Sequence, residues 1–179
     1  IRAPEPVSCL DWLPLAQEDG AFLLATGGYT QAVKYFIFIY QENSVCGWRV
    51  EVHADSPEAF RVQQIHDFKV NAEITALRYC RPNLLVYATS DGRVQFAQAS
   101  TSAQLHEYCE GLDVHEHDFV SIGREGDLVA GGLEQLEKSK LRIDLAELPT
   151  CVQHLNGQRV AIGTAQGRVL LVDLRGGNN

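Results

Sequence analysis

The sequence predicts an all-β chain in which one small antiparallel sheet is written several times over, the architecture of a propeller. Three observations predict it. Residues 159–175 read as a tight hairpin: Val160 and Ile162 alternate with small residues, Ala165-Gln166-Gly167 makes the turn, and Val169 to Val172 is an apolar run ending at Asp173. The same grammar returns in residues 84–97, with Asp91-Gly92 at the turn, and in residues 119–129, with Gly126 at the turn. The turn glycines at 92, 126 and 167 stand 34 and 41 residues apart, a spacing in which each repeat is one blade. Glycine supplies the positive φ of a short hairpin connection. The unbroken run from Val169 to Val172 predicts a strand covered on both faces.

The chain can then be taken in order. Residues 1–6 are a lead-in, and residues 7–13 alternate as a strand that stops at Pro14, which cannot donate the next ladder bond. Residues 21–28, followed by the aromatic run Tyr35 to Tyr40, read as a looser copy of the hairpin. Residues 43–60 carry the least pattern, although 48–52 fits an outer strand, and 61–68 fits the fourth strand of this repeat. Residues 74–79 restart the pattern and are again closed by a proline, Pro82. First strands of two further repeats are expected at 109–114 and 148–155, and no fourth strand follows Asp173. The segment 133–148 supports two readings. Its leucines fall near one helical face, yet Arg142-Ile143-Asp144-Leu145 echoes Leu171-Val172-Asp173-Leu174, which favours a polar loop and then a strand. The blades so defined are 7–70, 71–105, 106–147 and 148–175, within a single propeller domain over 1–179.

Bulk composition narrows the function classes. Hydrophobic residues at 45% and charged residues at 21% describe a globular chain rather than a disordered one. A net charge of −8 argues against wholesale binding to a nucleic-acid backbone, which needs clustered Lys and Arg. The longest apolar run, Tyr35 to Tyr40, is too short to span a bilayer. Five cysteines, at 9, 46, 80, 109 and 151, are odd in number and widely spread, so they read as small buried hydrophobes in a reducing compartment.

A strand, a proline, a hairpin with a glycine turn and an apolar-Asp pair closing a strand together resemble the WD40 repeat. In that family a Trp-Asp pair closes the third strand of a four-stranded blade. Here Val172-Asp173 stands in that place and the Gly-His that opens a repeat is absent, departures that bear on the family's Asp-His-Ser-Trp hydrogen-bond network and not on the propeller. Leu10-Asp11-Trp12-Leu13-Pro14-Leu15 with Leu24-Ala25-Thr26-Gly27-Gly28 looks like the first blade of a small WD40 nucleoporin in the Y-shaped outer-ring complex of the nuclear pore. Residues 109–112 leading into 119–126 look like its middle blade, and 167–175 like the blade after it. The resemblance implies a non-catalytic scaffold at the nuclear envelope, docked on other protein subunits. It implies no cofactor, no direct nucleic-acid contact and no small-molecule substrate. At about 40–45 residues per blade the chain makes four blades, so an arc of a larger ring with an uncovered edge is expected.

His115-Glu116-His117-Asp118 offers two imidazoles on one strand face for a metal, but it lies between two strands with no further ligand at useful spacing, and reads as a solvated loop. Ser90, Ser121 and the six histidines invite a triad, yet no G-x-S-x-G elbow exists, and the alternation puts the Ser121 hydroxyl on the polar side of its strand. Gly27-Gly28 and Gly131-Gly132 lack the Gly-Lys-Ser/Thr of a phosphate cradle and read as turn glycines. Arg93 and Arg168 each follow a turn glycine; they line one rim for an acidic partner, or are solvated turn residues. Tyr35 and Tyr40 flank an aromatic strand whose exposed remainder would be a docking patch. Three functions follow: a protein-interaction scaffold of the nuclear pore; a WD40 adaptor of another assembly (a ubiquitin-ligase receptor, or a chromatin or trafficking factor); and a propeller enzyme with a metal or acid–base site in its channel.

Overall fold

The computed structural model describes residues 7–14, 21–28, 43–52, 60–81, 84–97, 101–136 and 141–175. Fifteen strands occur among them, in four antiparallel sheets. The first sheet holds β1 (Val7–Pro14), β2 (Ala21–Gly28), β3 (Asn43–Val52) and β4 (Phe60–Val70). The second holds β5 (Ile74–Arg81), β6 (Leu84–Thr89), β7 (Arg93–Phe96) and β8 (Ser102–Gln104). The third holds β9 (Cys109–His115), β10 (Asp118–Gly123), β11 (Asp127–Gly132) and β12 (Leu141–Asp144). The fourth has three strands, β13 (Pro149–Asn156), β14 (Arg159–Thr164) and β15 (Val169–Asp173). Strand order follows chain order in every sheet.

The first strands stack in series: β1 packs on β5, β5 on β9, and β9 on β13. Among the described residues no comparable packing joins β13 back to β1, so the four sheets form an arc. The middle strands explain the apolar runs seen in the sequence. Along β6, Leu85 and Tyr87 join a cluster with Ala25 and Val70 of the first sheet, while Val86 and Ala88 join one with Phe119 and Leu112 of the third. Along β10, Val120 and Ile122 instead face Val152, Val160 and Ile162 of the fourth sheet. Successive side chains of one strand thus feed two different cores, as period-two geometry requires.

Three turns are built alike. Gly92, Gly126 and Gly167 donate their amides to the carbonyls of Thr89, Gly123 and Thr164, at 2.9, 3.1 and 3.0 Å, and take φ of 80°, 92° and 77°. This is a tight turn closed by a left-handed residue, which glycine adopts without steric cost.

Three expectations change and one of two open readings is chosen. The partner of β2 is β3 over Asn43–Val52, the stretch with the weakest pattern, and residues 35–40, with Tyr35 and Tyr40, lie outside the described residues. In the segment 133–148 the favoured strand is present as β12, after a 3₁₀ turn (η1, Leu133–Gln135), and no long helix runs through its leucines among the described residues. The run Val169 to Val172 is covered on one side only: Val169 and Leu171 are 70% and 73% exposed, and no further sheet lies on that side of β15 among the described residues. Cys109 is fully buried as expected and Cys80 half-buried, whereas Cys151 is exposed.

Candidate functional site

The third sheet holds a hydrogen-bonded chain of three polar side chains. His106, in the loop before β9, places Nε2 2.9 Å from Ser121 Oγ on β10. Its Nδ1 lies 2.9 and 3.0 Å from the two carboxylate oxygens of Asp127, at the start of β11. Arg142 of β12 pairs with the same carboxylate and donates to the Leu105 carbonyl. The order Ser–His–Asp is that of a nucleophilic triad, but all three residues are buried and Ser121 is wholly sealed, so no substrate carbonyl reaches its oxygen. The Ser121 hydroxyl therefore faces inward, against the sequence expectation. Burial pushes the His106 imidazole below its ordinary value of 6.5, against the opposing pull of Asp127. A neutral imidazole then bridges hydroxyl and carboxylate, and the group ties the loop and three strands into one unit. Glu125 brings a third ligand-type oxygen near His106 and Asp127, but the Arg142 guanidinium already supplies the positive charge there. His106, Ser121 and Asp127 are thus joined in one network within this sheet, although no Gly-His pair precedes it in the sequence.

A second constellation escapes the sequence reading. Asp11, Arg78, Asp113 and His154 occupy corresponding places on the four first strands. Asp113 Oδ1 accepts from Arg78 Nε at 3.1 Å, and Asp113 Oδ2 accepts the His154 amide at 2.6 Å and faces its Nδ1 at 3.1 Å. Asp11 Oδ2 accepts the Tyr79 amide at 2.7 Å. Burial pushes the Asp113 carboxyl up, but the His154 and Arg78 hydrogen bonds outweigh it and hold it below its ordinary value. The signal was present in Leu10-Asp11, Leu77-Arg78, Leu112-Asp113 and Gln153-His154, but only the register aligns them.

The remaining candidates are dispersed. Arg93 pairs with Asp91 at 3.3 Å, and Asp91 also accepts the Thr89 hydroxyl. Arg168 pairs with Glu147, which accepts the Thr164 hydroxyl at 2.7 Å. Each rim arginine is thus balanced by an acid that also pins the end of a neighbouring strand. His115 stacks obliquely on His154, with ring centroids 5.8 Å apart, while His117 points into a groove between the second and third sheets. The two imidazoles do not converge on a shared metal position. Gly131 and Gly132 lie within β11 and Gly27 and Gly28 within β2, all paired in their ladders and not in turns as the sequence suggested, because the absence of a side chain lets a strand carry them as well as a turn. Ser90 follows β6 and donates its amide to the Glu73 carbonyl.

No protein-family model matches the chain, and no curated protein matches it. Solved structures do. The computationally designed Ika4 protein superposes over 97% of this chain and 94% of its own, with a TM-score of 0.61 and 14% identity. The C-terminal WD40 domain of Sif2 superposes over 96% of this chain, with a TM-score of 0.66 and 11% identity. The chain spans 47% of the Sif2 chain. At such identities the likeness concerns the path of the backbone, and with the serial packing of four sheets it leads to one statement: the chain has a WD40-like β-propeller fold, present as an arc.

Proposed function

We propose that the chain is a non-enzymatic protein-interaction scaffold, and more narrowly a structural subunit of the nuclear-pore outer ring, resident at the nuclear envelope. The observation that carries the scaffold reading is the WD40-like series of four stacked sheets, which holds many turns in fixed positions. Leu10 of the first sheet and Leu155, Val169 and Leu171 of the fourth stand exposed among the described residues, apolar side chains that fit packing against further protein, of this chain or another. Rigid stacked sheets that hold many turns in fixed positions suit such docking. The narrower reading rests on the likeness of residues 10–28, 109–126 and 167–175 to a small WD40 nucleoporin. Arg93 and Arg168, at the turns, are rim contacts in this proposal.

Pull-down with purified outer-ring nucleoporins tests it. Stable, salt-resistant capture is expected. Capture of none of them, with retention of other proteins, replaces the pore subunit by an adaptor of another assembly. The sealed geometry of Ser121 speaks against the enzyme reading.

A further inference from the structure

Between the second and third sheets lies a groove of about 590 Å³ that none of the contacts above uses. Its floor is Cys80 at the end of β5, Leu84 at the start of β6, Phe96 at the end of β7 and Leu133 of η1. Cys80 and Phe96 pack from outside on the core shared by the two sheets, so the floor is the open end of that core. Burial pushes the Cys80 thiol up to about 12, which leaves it neutral and apolar in character.

The lip is charged. Glu116 and Glu134 are exposed there, with Arg81, Thr101 and His117 completing it. Among the described residues neither glutamate has an ion-pair partner. Glu116 sits in the two-residue turn between β9 and β10 with φ of 54°, where glycine would be free of strain. A carboxylate is thus held at the lip in a conformation that side chains disfavour.

We propose that this groove binds a short extended segment of a partner protein, seating one bulky apolar side chain on the floor and a neighbouring Lys or Arg against Glu116 and Glu134. The apolar floor supplies burial, and the two carboxylates of the lip, set against the single guanidinium of Arg81, select charge and register. The volume falls within the range of about 300–1,000 Å³ usual for ligand pockets and suits one large side chain with adjoining backbone. This inference rests on the scaffold reading and names one of its contact surfaces.

The test is fluorescence anisotropy with a labelled peptide, Ser-Gly-Arg-Phe-Lys-Gly-Ser, against two controls. One control carries Glu in place of both basic residues, and the other carries Gly in place of Phe. Binding at least tenfold tighter for the first peptide than for either control is expected. The double variant Glu116→Lys/Glu134→Lys should reverse the charge preference, whereas Glu107→Lys, an exposed residue in the loop before β9, should leave it unchanged within twofold. Thr101→Trp, which fills the lip without touching the core, should abolish binding. Absence of binding, equal binding of both charge versions, or an effect of Glu107→Lys as large as that of the double variant would overturn the proposal. The two levels separate: no peptide binding by a chain that still captures outer-ring nucleoporins overturns the groove and leaves the scaffold reading standing.

Discussion

Asp113 accepts the backbone amide of His154 at 2.6 Å, so a carboxylate of the third sheet completes the hydrogen bonding of the first strand of the fourth. Asp11 does the same for Tyr79, between the first and second sheets. These bonds fix the registry of neighbouring sheets where apolar packing alone is non-directional. Replacing Asp113 with Ala leaves a buried amide and the Arg78 guanidinium without their acceptor. Its expected cost is about 2–3 kcal/mol in urea unfolding. Asp113→Asn keeps an oxygen for the amide and should lose less.

Asp113 also links stability to acid. Its carboxyl is held below its ordinary value in the fold, so its contribution is complete above the unfolded value of 3.8 and is lost as pH falls through the folded one. The Asp113→Asn variant should show a shallower loss of stability below pH 3.8 than the parent chain.

His106 acts in a higher window. Burial holds its imidazole below 6.5 in the fold, so the unfolded chain takes up the proton first and stability falls as pH drops from 6.5 towards the folded value. Thermal unfolding at pH 7.5 and 5.5 should differ less for His106→Asn than for the parent chain. The groups that set this shift are Asp127 and Glu125, which favour the proton, and Arg142, which opposes it.

Ser121 should be chemically inert despite its bond to His106. A fluorophosphonate probe is expected to leave it unlabelled in the folded protein, and Ser121→Ala should cost about 1 kcal/mol of stability. Stoichiometric labelling at Ser121 would restore the enzyme reading.

The turn glycines separate two penalties. Gly167→Ala meets no atom within 4 Å, so it carries only left-handed backbone strain, about 1–2 kcal/mol. Gly92→Ala carries the same strain and also overlaps the His106 carbonyl, which adds about 1–3 kcal/mol. Denaturant midpoints of the two variants should rank accordingly.

Much of the architecture was legible because hairpins are local. An apolar run, a glycine and a second apolar run lie within about fifteen residues, and that proximity identified the second, third and fourth sheets. The first sheet was harder, since the aromatic run at 35–40 outweighed residues 43–52, where Gly47 and Arg49 interrupt the pattern of the strand that pairs with β2. The polar constellations were not legible for a different reason. Asp11, Arg78, Asp113 and His154 lie 67, 35 and 41 positions apart, and each looks like an isolated charge until the sheets stack. Ser121 and His106 likewise met only in space, and alternation assigned the serine to water because it assumed one wet face. A strand between two neighbouring sheets has no wet face.

That same sharing of side chains between cores has a mechanical meaning. No sheet owns the interior that holds it; each hydrophobic cluster is held jointly by two neighbours, as vertebrae share discs. Loosening one sheet weakens the next, and disorder spreads along the arc like a zip. The first and fourth sheets, each braced by a single neighbour among the described residues, are where amide exchange is expected to begin.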